Sequence, residues 1–260
     1  MSERKIQMDT IQAIKQAYYE QNASQFDSMH IAPHDEHYKS LVHISNFVES
    51  LGIESVLDIG AGTGRGILYF REHHADVKAH GIEPSPDMRA RAISKGVSPD
   101  SIILARAESL PFANQSFDAI CEFGVVHHIR HPEIAVQEMM RVARKAIFLS
   151  DSNRFGQGPV WTRWIKLFLY KLGIWPPVDW IKNGGKTYIF GPGDGLFFSY
   201  SVYDSLPALA EWSERILLLP VSDEKPSKSL FHPLLTSQHV LLVAIRDTSK
   251  PAAPVQAVSP

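Results

Sequence analysis

Residues 56–66 constrain the fold of this chain more than any other segment. A short apolar run ends in Asp58, and four glycines then follow at alternate positions. This pattern predicts a buried strand that turns sharply, through a glycine-rich loop, into a helix. Glycine is needed where the backbone takes a positive φ or where a ligand approaches the main chain closely. Because the amides of such a loop favour electron-rich groups at the helix N-terminus, the segment predicts a ligand site rather than a bare turn.

The spacing of the glycines separates two kinds of nucleotide site. A dinucleotide-binding turn needs the pattern G-x-G-x-x-G, whose third glycine would fall at position 65, and that residue is arginine. The observed pattern, D-x-G-x-G-x-G, resembles the first motif of class I S-adenosylmethionine-dependent methyltransferases. The resemblance implies that Asp58 helps to hold the charged amino-acid part of the cofactor. It also implies that the loop lines the cofactor through Gly60, Ala61, Gly62, Thr63 and Gly64.

An acid at the end of the next predicted strand supports an adenosine site. The strand, at 77–83, ends in Glu83, and a helix capped by Ser85 follows. In a βαβ unit that strand end lies beside the ribose, where a carboxylate can accept both hydroxyl protons. NAD enzymes use the same arrangement, so Glu83 supports the ligand class without choosing the chemistry. We expect Pro84 and Met88, at the same strand end, to contact the cofactor as well.

A more specific resemblance lies between the third and fourth predicted strands. Residues 107–112 read A-E-S-L-P-F, and S-F-D follows at 116–118. Small-molecule methyltransferases of class I carry this combination, and its first residues line the adenine. The resemblance therefore assigns Ala107 and Glu108 to the cofactor site. The family usually has Asp where this chain has Arg106, and arginine offers no acceptor to the adenine amino group, so that role is not transferred.

Two adjacent histidines follow the fourth predicted strand. The sequence runs from Glu122 and Phe123, both expected to contact the cofactor, to His127 and His128. The resemblance continues here, because V-H-H-I precedes a proline-started helix that carries E-x-x-R-V. A neutral histidine at this place can take a proton from a hydroxyl as the methyl group arrives, and we expect His128, or else His127, to be the catalytic base. The plainer interpretation is that both histidines hold the loop by hydrogen bonds.

Residues 154–203 form an insertion for which the resemblance gives no guidance. Four of the five tryptophans fall in it. Residues 160–175 predict an amphipathic helix with an apolar, aromatic face and with basic residues opposite, and a hairpin with a glycine-rich tip follows. The apolar face either packs on the sheet, or walls the acceptor pocket, or lies on a membrane surface. The pocket-wall interpretation assigns three residues to the acceptor: Tyr188, Phe198 and Tyr200.

Strand and helix alternate from 53 to 150, which predicts an α/β fold. The resemblance implies a Rossmann-like, seven-stranded, mainly parallel sheet with helices on both faces, to which an aromatic-rich lid is added. Five segments are expected: an N-terminal helical segment that caps the site at 1–52, a cofactor-binding core at 53–153, the lid at 154–203, a helix and an antiparallel strand pair at 204–246, and a disordered tail at 247–260.

Composition narrows the partners and the compartment. The net charge of −2 creates no global field towards nucleic acid, so we expect none as a partner. The single cysteine suits a reducing compartment, and no signal peptide is visible, so we expect a cytoplasmic protein. We expect no metal site. His30, His34 and His37 lie close together in the sequence, but no second cluster follows at the spacing of metal ligands. His131 follows the histidine pair, but no acid or cysteine completes that group as a metal site.

The predicted function is methyl transfer from S-adenosylmethionine to a small-molecule acceptor, in the first place at oxygen. Three alternatives stay open. The acceptor is lipid-linked or membrane-associated, with contact to the membrane surface through residues 160–175. In the second alternative the chain is an NAD(P)-dependent Rossmann oxidoreductase, although the spacing of the glycines argues against this. In the third alternative the chain is a non-catalytic protein that binds S-adenosylmethionine. The sequence does not indicate an oligomeric state.

Overall fold

A computed structural model describes residues 35–191, 195–222 and 227–246, together with Ile14, Ala17 and Tyr18, which are helical. Most of the predicted segment 1–52 before Asp35, the predicted tail at 247–260, His30 and His34 therefore lie outside the described residues. The helices are α1 (Glu36–Ser50), α2 (Arg65–His73), α3 (Pro86–Ser94), α4 (Pro132–Val142), α5 (Val160–Lys171), α6 (Trp175–Lys182) and α7 (Val202–Trp212). The strands are β1 (Ser55–Ile59), β2 (Lys78–Glu83), β3 (Ile102–Leu104), β4 (Phe117–Phe123), β5 (Ala143–Ser152), β6 (Tyr188–Gly191), β7 (Gly195–Phe198), β8 (Arg215–Pro220) and β9 (His239–Ile245).

Seven strands form one sheet in the order β3-β2-β1-β4-β5-β9-β8. The pairs from β3 to β5 are parallel, and β9 runs antiparallel to both β5 and β8. This confirms the predicted Rossmann-like fold. Strand order reverses between β1 and β4, and in such sheets a ligand binds outside the carboxyl ends of the strands at that point.

The two faces of the sheet carry separate apolar clusters. Leu57 of β1 and Ile120 of β4 pack in one cluster, which includes buried residues of α4 and α7. Their neighbours Val56 and Ala119 pack in the other cluster, with buried residues of α1 and α2. Because successive side chains of a strand point to opposite faces, the near-continuous apolar runs of β1, β4 and β5 are buried on both sides. The predicted helices on both faces are confirmed.

The helix predicted over 160–175 is two helices in the structure. α5 ends at Lys171, and α6 begins at Trp175 with prolines in its first turn. Gly173, between the helices, has a φ of +72°. A glycine at positive φ ends a helix readily, and proline at the first helical positions starts one, so the sequence itself breaks the predicted helix.

The apolar face of α5 points away from the domain. None of the twelve residues of α5, all of them described, is buried. Arg163 and Lys166 face inwards instead and donate hydrogen bonds to backbone carbonyls of the domain. The interpretation that the aromatic face packs on the sheet is therefore wrong for α5, whereas Trp175, at the end of the predicted helix, is buried. Among the helices that the structure describes, none is both long enough and apolar enough to cross a membrane.

Candidate active site

Polar side chains collect at the carboxyl ends of β1, β2, β4 and β5. Asp58 lies near the end of β1, Glu83 ends β2, Glu122 lies near the end of β4, and Asp151 lies near the end of β5. All four carboxyl groups belong to buried residues. Since burial of an unpaired carboxylate is costly, four buried acids at one edge of a sheet indicate a site rather than a core.

The glycine loop has the backbone that its sequence predicts. Gly60, Gly62 and Gly64 take φ values of +66°, +55° and +84°, a region that other residues rarely adopt. Close packing adds a second requirement at Gly60, where a Cβ would lie 2.7 Å from Cγ1 of Val125. The fourth glycine, Gly66, has no positive φ, but a Cβ there would overlap the Asp58 carboxylate. The alternate glycines therefore let β1, the loop and the start of α2 approach one another.

Several predicted cofactor residues meet around this loop. Glu83 accepts hydrogen bonds from the backbone N–H of Gly62, at 2.9 Å, and of Ser85, at 2.8 Å. A Cβ built on Gly62 would lie 3.6 Å from Cε of Met88, so the buried Met88 borders the same loop. Ala61 and Thr63 are buried in the loop, and Pro84 is exposed beside Glu83.

The charges of the two acids nearest the loop suit a cationic ligand. Burial raises the pKa of Asp58 to about 8, against the opposing charge of Arg65. Burial also raises the pKa of Glu83 to about 7, although two backbone N–H groups favour its ionised form. A bound cation would favour the ionised form of both groups. S-adenosylmethionine carries positive charge on its amino group and its sulfonium, so the residues present fit the predicted cofactor. Asp58 and the loop would hold its amino-acid part, and Glu83 its ribose.

The segment predicted to border the adenine is braced from α4. Glu138 accepts a hydrogen bond from the N–H of Leu110 at 2.8 Å. Arg141 donates to the carbonyls of Leu110 and Phe112, at 3.1 and 2.7 Å, and is paired with Glu138 at 2.6 Å. The E-x-x-R-V motif therefore fixes the backbone of residues 107–112, a role that the sequence did not predict.

Side chains of this segment differ in their surroundings. Ala107 is buried in the apolar cluster under α4. Glu108 pairs with Arg106 at 3.0 Å, on a surface where the arginine is about half exposed. Arg106 therefore neutralises the acid that we expected at the adenine, and the cofactor role of Glu108 stays a prediction.

His127 makes a two-point contact with Asp151. Its Nδ1 lies 2.7 Å from Asp151 Oδ1, and its backbone N–H donates to Oδ2 at 3.1 Å. Burial would raise the pKa of Asp151, but His127 and His239 outweigh burial and lower it to about 2. Asp151 is therefore an ionised carboxylate beside a buried imidazole. The sequence analysis missed Asp151; the signal was an acid near the end of a central strand, where ligands bind in such sheets.

His128 is tied to the lid. Its Nδ1 lies 2.9 Å from the carbonyl oxygen of Leu196 in β7, and its ring centroid is 4.1 Å from that of His127. Because a carbonyl oxygen only accepts, Nδ1 of His128 carries the proton in this bond. The two predicted base candidates thus lie side by side, with one bonded to the core and the other to the hairpin.

Glu122 lies between these groups and the glycine loop. Its Oε2 accepts from the N–H of Val125 at 2.9 Å, whereas its Oε1 is buried with no hydrogen-bond partner among the described residues. Burial, with the charge of Asp151 added, raises its pKa well above the ordinary value. A buried polar atom of this kind indicates a place for a polar group of a ligand. Phe123, also predicted to contact the cofactor, packs edge-on against His37 at 6.4 Å between ring centroids.

His37 of α1 is a second residue that the sequence analysis did not assign to the site. Its Nδ1 lies 3.4 Å from Ser150 Oγ, and burial, together with the charges of His239 and Arg65, lowers its pKa to about 3. Ligand atoms of Glu36, His37 and His239 lie within 4.8 Å of one another. The sequence could not indicate this group, because α1 and β9 are far apart in the chain. The expected absence of a metal site stays a prediction.

The three residues predicted to contact the acceptor are not together. Tyr188 pairs with Phe198 across the β6–β7 hairpin, and Phe198 packs with Leu196. Tyr200 is buried in the main core, where its hydroxyl lies 2.7 Å from Ser205 Oγ. The hairpin thus carries two of the three residues beside the carbonyl that holds His128, and the role of all three stays a prediction.

Comparison with known proteins assigns the chain to a class of proteins. Residues 57–149 match the family described as a methyltransferase domain. An uncharacterized methyltransferase of Mycolicibacterium paratuberculosis is 32% identical over 173 residues, which are 66% of this chain and 67% of the relative. An uncharacterized methyltransferase of Mycolicibacterium gilvum is 36% identical over 93 residues, 35% of each chain. The chain spans less than two thirds of the length of several curated relatives that it matches.

A solved structure has the same fold. Magnesium protoporphyrin IX methyltransferase from Synechocystis PCC 6803, with bound S-adenosylmethionine, superposes with a TM-score of 0.58. The superposition covers 91% of this chain and 97% of the other, at 12% sequence identity. At that identity the likeness shows the fold alone.

Proposed function

Since the chain belongs to the class I S-adenosylmethionine-dependent methyltransferases, we propose that it transfers a methyl group from S-adenosylmethionine to a hydroxyl oxygen of a small-molecule acceptor. The hydrogen bond between His127 and Asp151 carries this proposal. A hydroxyl must lose its proton as its oxygen is methylated, whereas many nitrogen acceptors react as free bases. A buried histidine with an ionised partner can supply the base that takes this proton.

The acids and the glycine loop would bind and orient the cofactor. When bound, S-adenosylmethionine supplies an electrophilic methyl group and leaves as S-adenosylhomocysteine, whose sulfur keeps the electron pair of the broken bond. Methyl transfer then depends largely on alignment of the two reactants in a site from which water is excluded. Glu83, Asp58 and the loop amides supply that alignment on the donor side.

We assign the base to His127 rather than to His128, which the sequence favoured. Asp151 accepts from Nδ1 of His127, so Nε2 is the nitrogen that takes the acceptor's proton. The ionised Asp151 then stabilises the resulting imidazolium inside the protein, where charges interact strongly. His128 has a carbonyl as its partner instead, which offers no such charge. Its bond to Leu196 supports a positioning role, in which it holds the hairpin over the reacting groups.

The test measures production of S-adenosylhomocysteine with phenols and alcohols as acceptors. General-base catalysis is worth about 10²- to 10⁴-fold, so we expect His127→Gln to lower kcat by a factor in that range. Asp151→Asn lowers kcat too and moves the pH profile to lower pH, because an imidazolium without its ionised partner loses its proton more readily. His128→Gln changes KM more than kcat.

Two controls keep the outcomes distinct. Calorimetry with S-adenosylmethionine and with NAD tests the donor site alone, and binding of NAD instead would contradict the assignment. If S-adenosylmethionine binds but no acceptor of any class is methylated, the non-catalytic alternative holds. Equal kcat values for wild type and His127→Gln, with a large loss in His128→Gln, would reverse the roles of the two histidines.

A further inference from the structure

The helix α5 presents an apolar surface to solvent and turns two basic residues, Arg163 and Lys166, towards the domain. In α5, Arg163 donates from Nη1 to the carbonyl of Leu235 at 2.8 Å and from Nε to that of Gly158 at 2.7 Å. Lys166 donates to the carbonyls of Arg154 and Gln157, each at 2.8 Å. These bonds fix the rotation of the helix about its axis. Since the charged face is held inside, the apolar face of α5 is exposed by construction and not by loose packing.

The exposed surface extends beyond α5. Trp161 is 67% exposed and Phe168 63%, and in α6 Ile181 is 70% exposed. Its other large members in α5, in α6 and between them are Val160, Trp164, Ile165, Leu172, Ile174 and Trp180. Phe231 joins the same surface, because its ring packs edge-on against Trp164 with centroids 4.7 Å apart. We call these residues the lid surface. So many exposed large apolar side chains on two neighbouring helices indicate an interaction site.

Basic residues predominate in the segment that carries the lid surface. Within 154–191, all of them described, there are six basic residues and one acid, Asp179, which is buried. Lys171, Lys182 and Lys186 are exposed beside the apolar residues. The chain as a whole has more acidic than basic residues. The lid surface is therefore a positively charged region on a slightly negative protein.

We propose that the lid surface binds an anionic lipid bilayer. Tryptophan and phenylalanine flanked by lysine are what an interfacial helix presents, with its apolar side chains in the headgroup region and its cations on anionic lipids. A second copy of this chain fits less well. In a two-fold dimer the same lysines would face one another, and lysine is depleted in such interfaces. An interfacial helix needs neither the length nor the hydrophobicity of a membrane-spanning one.

The lid surface and the proposed active site belong to one unit. α6 is joined to the hairpin by the bond from Trp175 Nε1 to Ser199 Oγ, at 3.2 Å. The hairpin in turn holds His128 through Leu196. The lid surface is therefore linked through the hairpin to His128. If the proposed function holds, on which this step rests, the acceptor class is a hydroxylated amphiphile that resides in the bilayer.

The experiment is co-sedimentation of the full chain with vesicles of phosphatidylcholine, with and without phosphatidylglycerol. We expect binding to vesicles that contain phosphatidylglycerol and weaker binding at high salt. Phe168→Ser combined with Ile181→Ser removes two exposed apolar side chains and lowers the partition coefficient by about tenfold or more. Lys171→Glu combined with Lys182→Glu removes binding to the anionic vesicles. The matched control is Ile134→Ser, an exposed isoleucine of α4 outside the lid surface.

Equal sedimentation of the wild type and both double variants would overturn the proposal. So would a concentration-dependent dimer, seen by analytical ultracentrifugation without vesicles and abolished by Phe168→Ser with Ile181→Ser, if the wild type then fails to bind vesicles. Calorimetry with S-adenosylmethionine on every variant reports the donor site separately. Failure of vesicle binding with intact cofactor binding rejects only the lid surface, and loss of cofactor binding by the wild type rejects only the methyltransferase function.

Discussion

Arg65 donates hydrogen bonds to both carboxylate oxygens of Asp35, with Nη1 2.6 Å from Oδ2 and Nη2 3.1 Å from Oδ1. Asp35 also caps α1, because its Oδ1 accepts from the N–H of Tyr38 at 2.7 Å. Arg65 is the first residue of α2 and follows the glycine loop directly. One ion pair therefore joins the helix that carries His37 to the loop that would hold the cofactor. Burial would raise the pKa of Asp35, but Arg65 and Tyr38 outweigh burial and hold it below its usual value.

We expect Asp35→Ala to lower the free energy of unfolding by about 1 to 2 kcal/mol, since it removes a helix cap and a partly buried ion pair. Asp35→Asn is the matched control, because it keeps an oxygen for the cap and should cost about 1 kcal/mol or less. The stabilisation by Asp35 is present above the unfolded pKa near 3.8 and is lost as the pH falls through the lower folded value. Urea unfolding of both variants at pH 7 checks the order. If Asn costs as much as Ala, the ion pair and not the cap dominates.

Substitutions at Gly60 and Gly173 distinguish two ways in which losing a glycine destabilises the fold: backbone strain and steric overlap. Both take positive φ, at +66° and +72°. A Cβ on Gly60 would lie 2.7 Å from Val125, whereas no described atom lies within 4 Å of a Cβ on Gly173. Gly173→Ala should therefore cost only the backbone strain, about 1 to 2 kcal/mol. Gly60→Ala should cost more than that and should weaken S-adenosylmethionine binding, as measured by urea unfolding and calorimetry. Equal costs would mean that Val125 moves aside freely.

Much of the fold follows from apolar periodicity and from the residues that begin or end helices and strands. Apolar runs such as the one before Asp58, and caps such as Ser85 followed by Pro86, act within a few residues, so they can be predicted locally. The donor half of the site follows from the same kind of signal, since Gly62 and Glu83 lie at the ends of neighbouring strands. The resemblance added which ligand those strand ends are expected to bind.

The other half of the site depends on contacts between distant residues. Asp151 matters because β5 lies beside β4, which brings it to His127; the spacing along the chain does not show that pairing. The rotation of α5 is the clearest example. Its amphipathic pattern predicts an apolar and a basic face. Which face lies inside depends on the backbone carbonyls to which Arg163 and Lys166 donate hydrogen bonds. Apolar periodicity assumes that the core attracts the apolar face, and here the backbone carbonyls decide instead.

The brace between α4 and residues 107–112 leads to a third prediction. Arg141→Lys keeps the charge but loses the planar fork that reaches two carbonyls and Glu138. We expect S-adenosylmethionine to bind roughly tenfold more weakly, which corresponds to about 1.4 kcal/mol. Arg144→Lys is the control, since Arg144 contacts Asp118 and the carbonyl of Gln115 instead. Calorimetry at one pH compares the two. Equal affinities would show that the segment keeps its shape without the brace.

The buried acids at the glycine loop make stability depend on pH in an unusual direction. Burial raises the pKa of Asp58 from 3.8 to about 8 and that of Glu83 from 4.5 to about 7. Between those values the folded chain binds more protons than the unfolded chain, so the free energy of unfolding falls as the pH rises. We expect the protein without cofactor to be less stable at pH 8 than at pH 5, as urea unfolding across that range would show.

Two variants and the cofactor show which carboxyl groups cause this dependence of the free energy of unfolding on pH. Asp58→Asn and Glu83→Gln should each flatten it, because a neutral side chain has no proton to lose, whereas Glu211→Gln, at an exposed position of α7, should leave it as it is. Positive charge on S-adenosylmethionine favours the ionised carboxyls, so the cofactor should raise Tm more at pH 8 than at pH 5. A rise in Tm that is equal at both pH values would mean that Asp58 does not meet the cofactor's charge. A slope unchanged in both variants would place its origin at Glu122, whose pKa burial also raises.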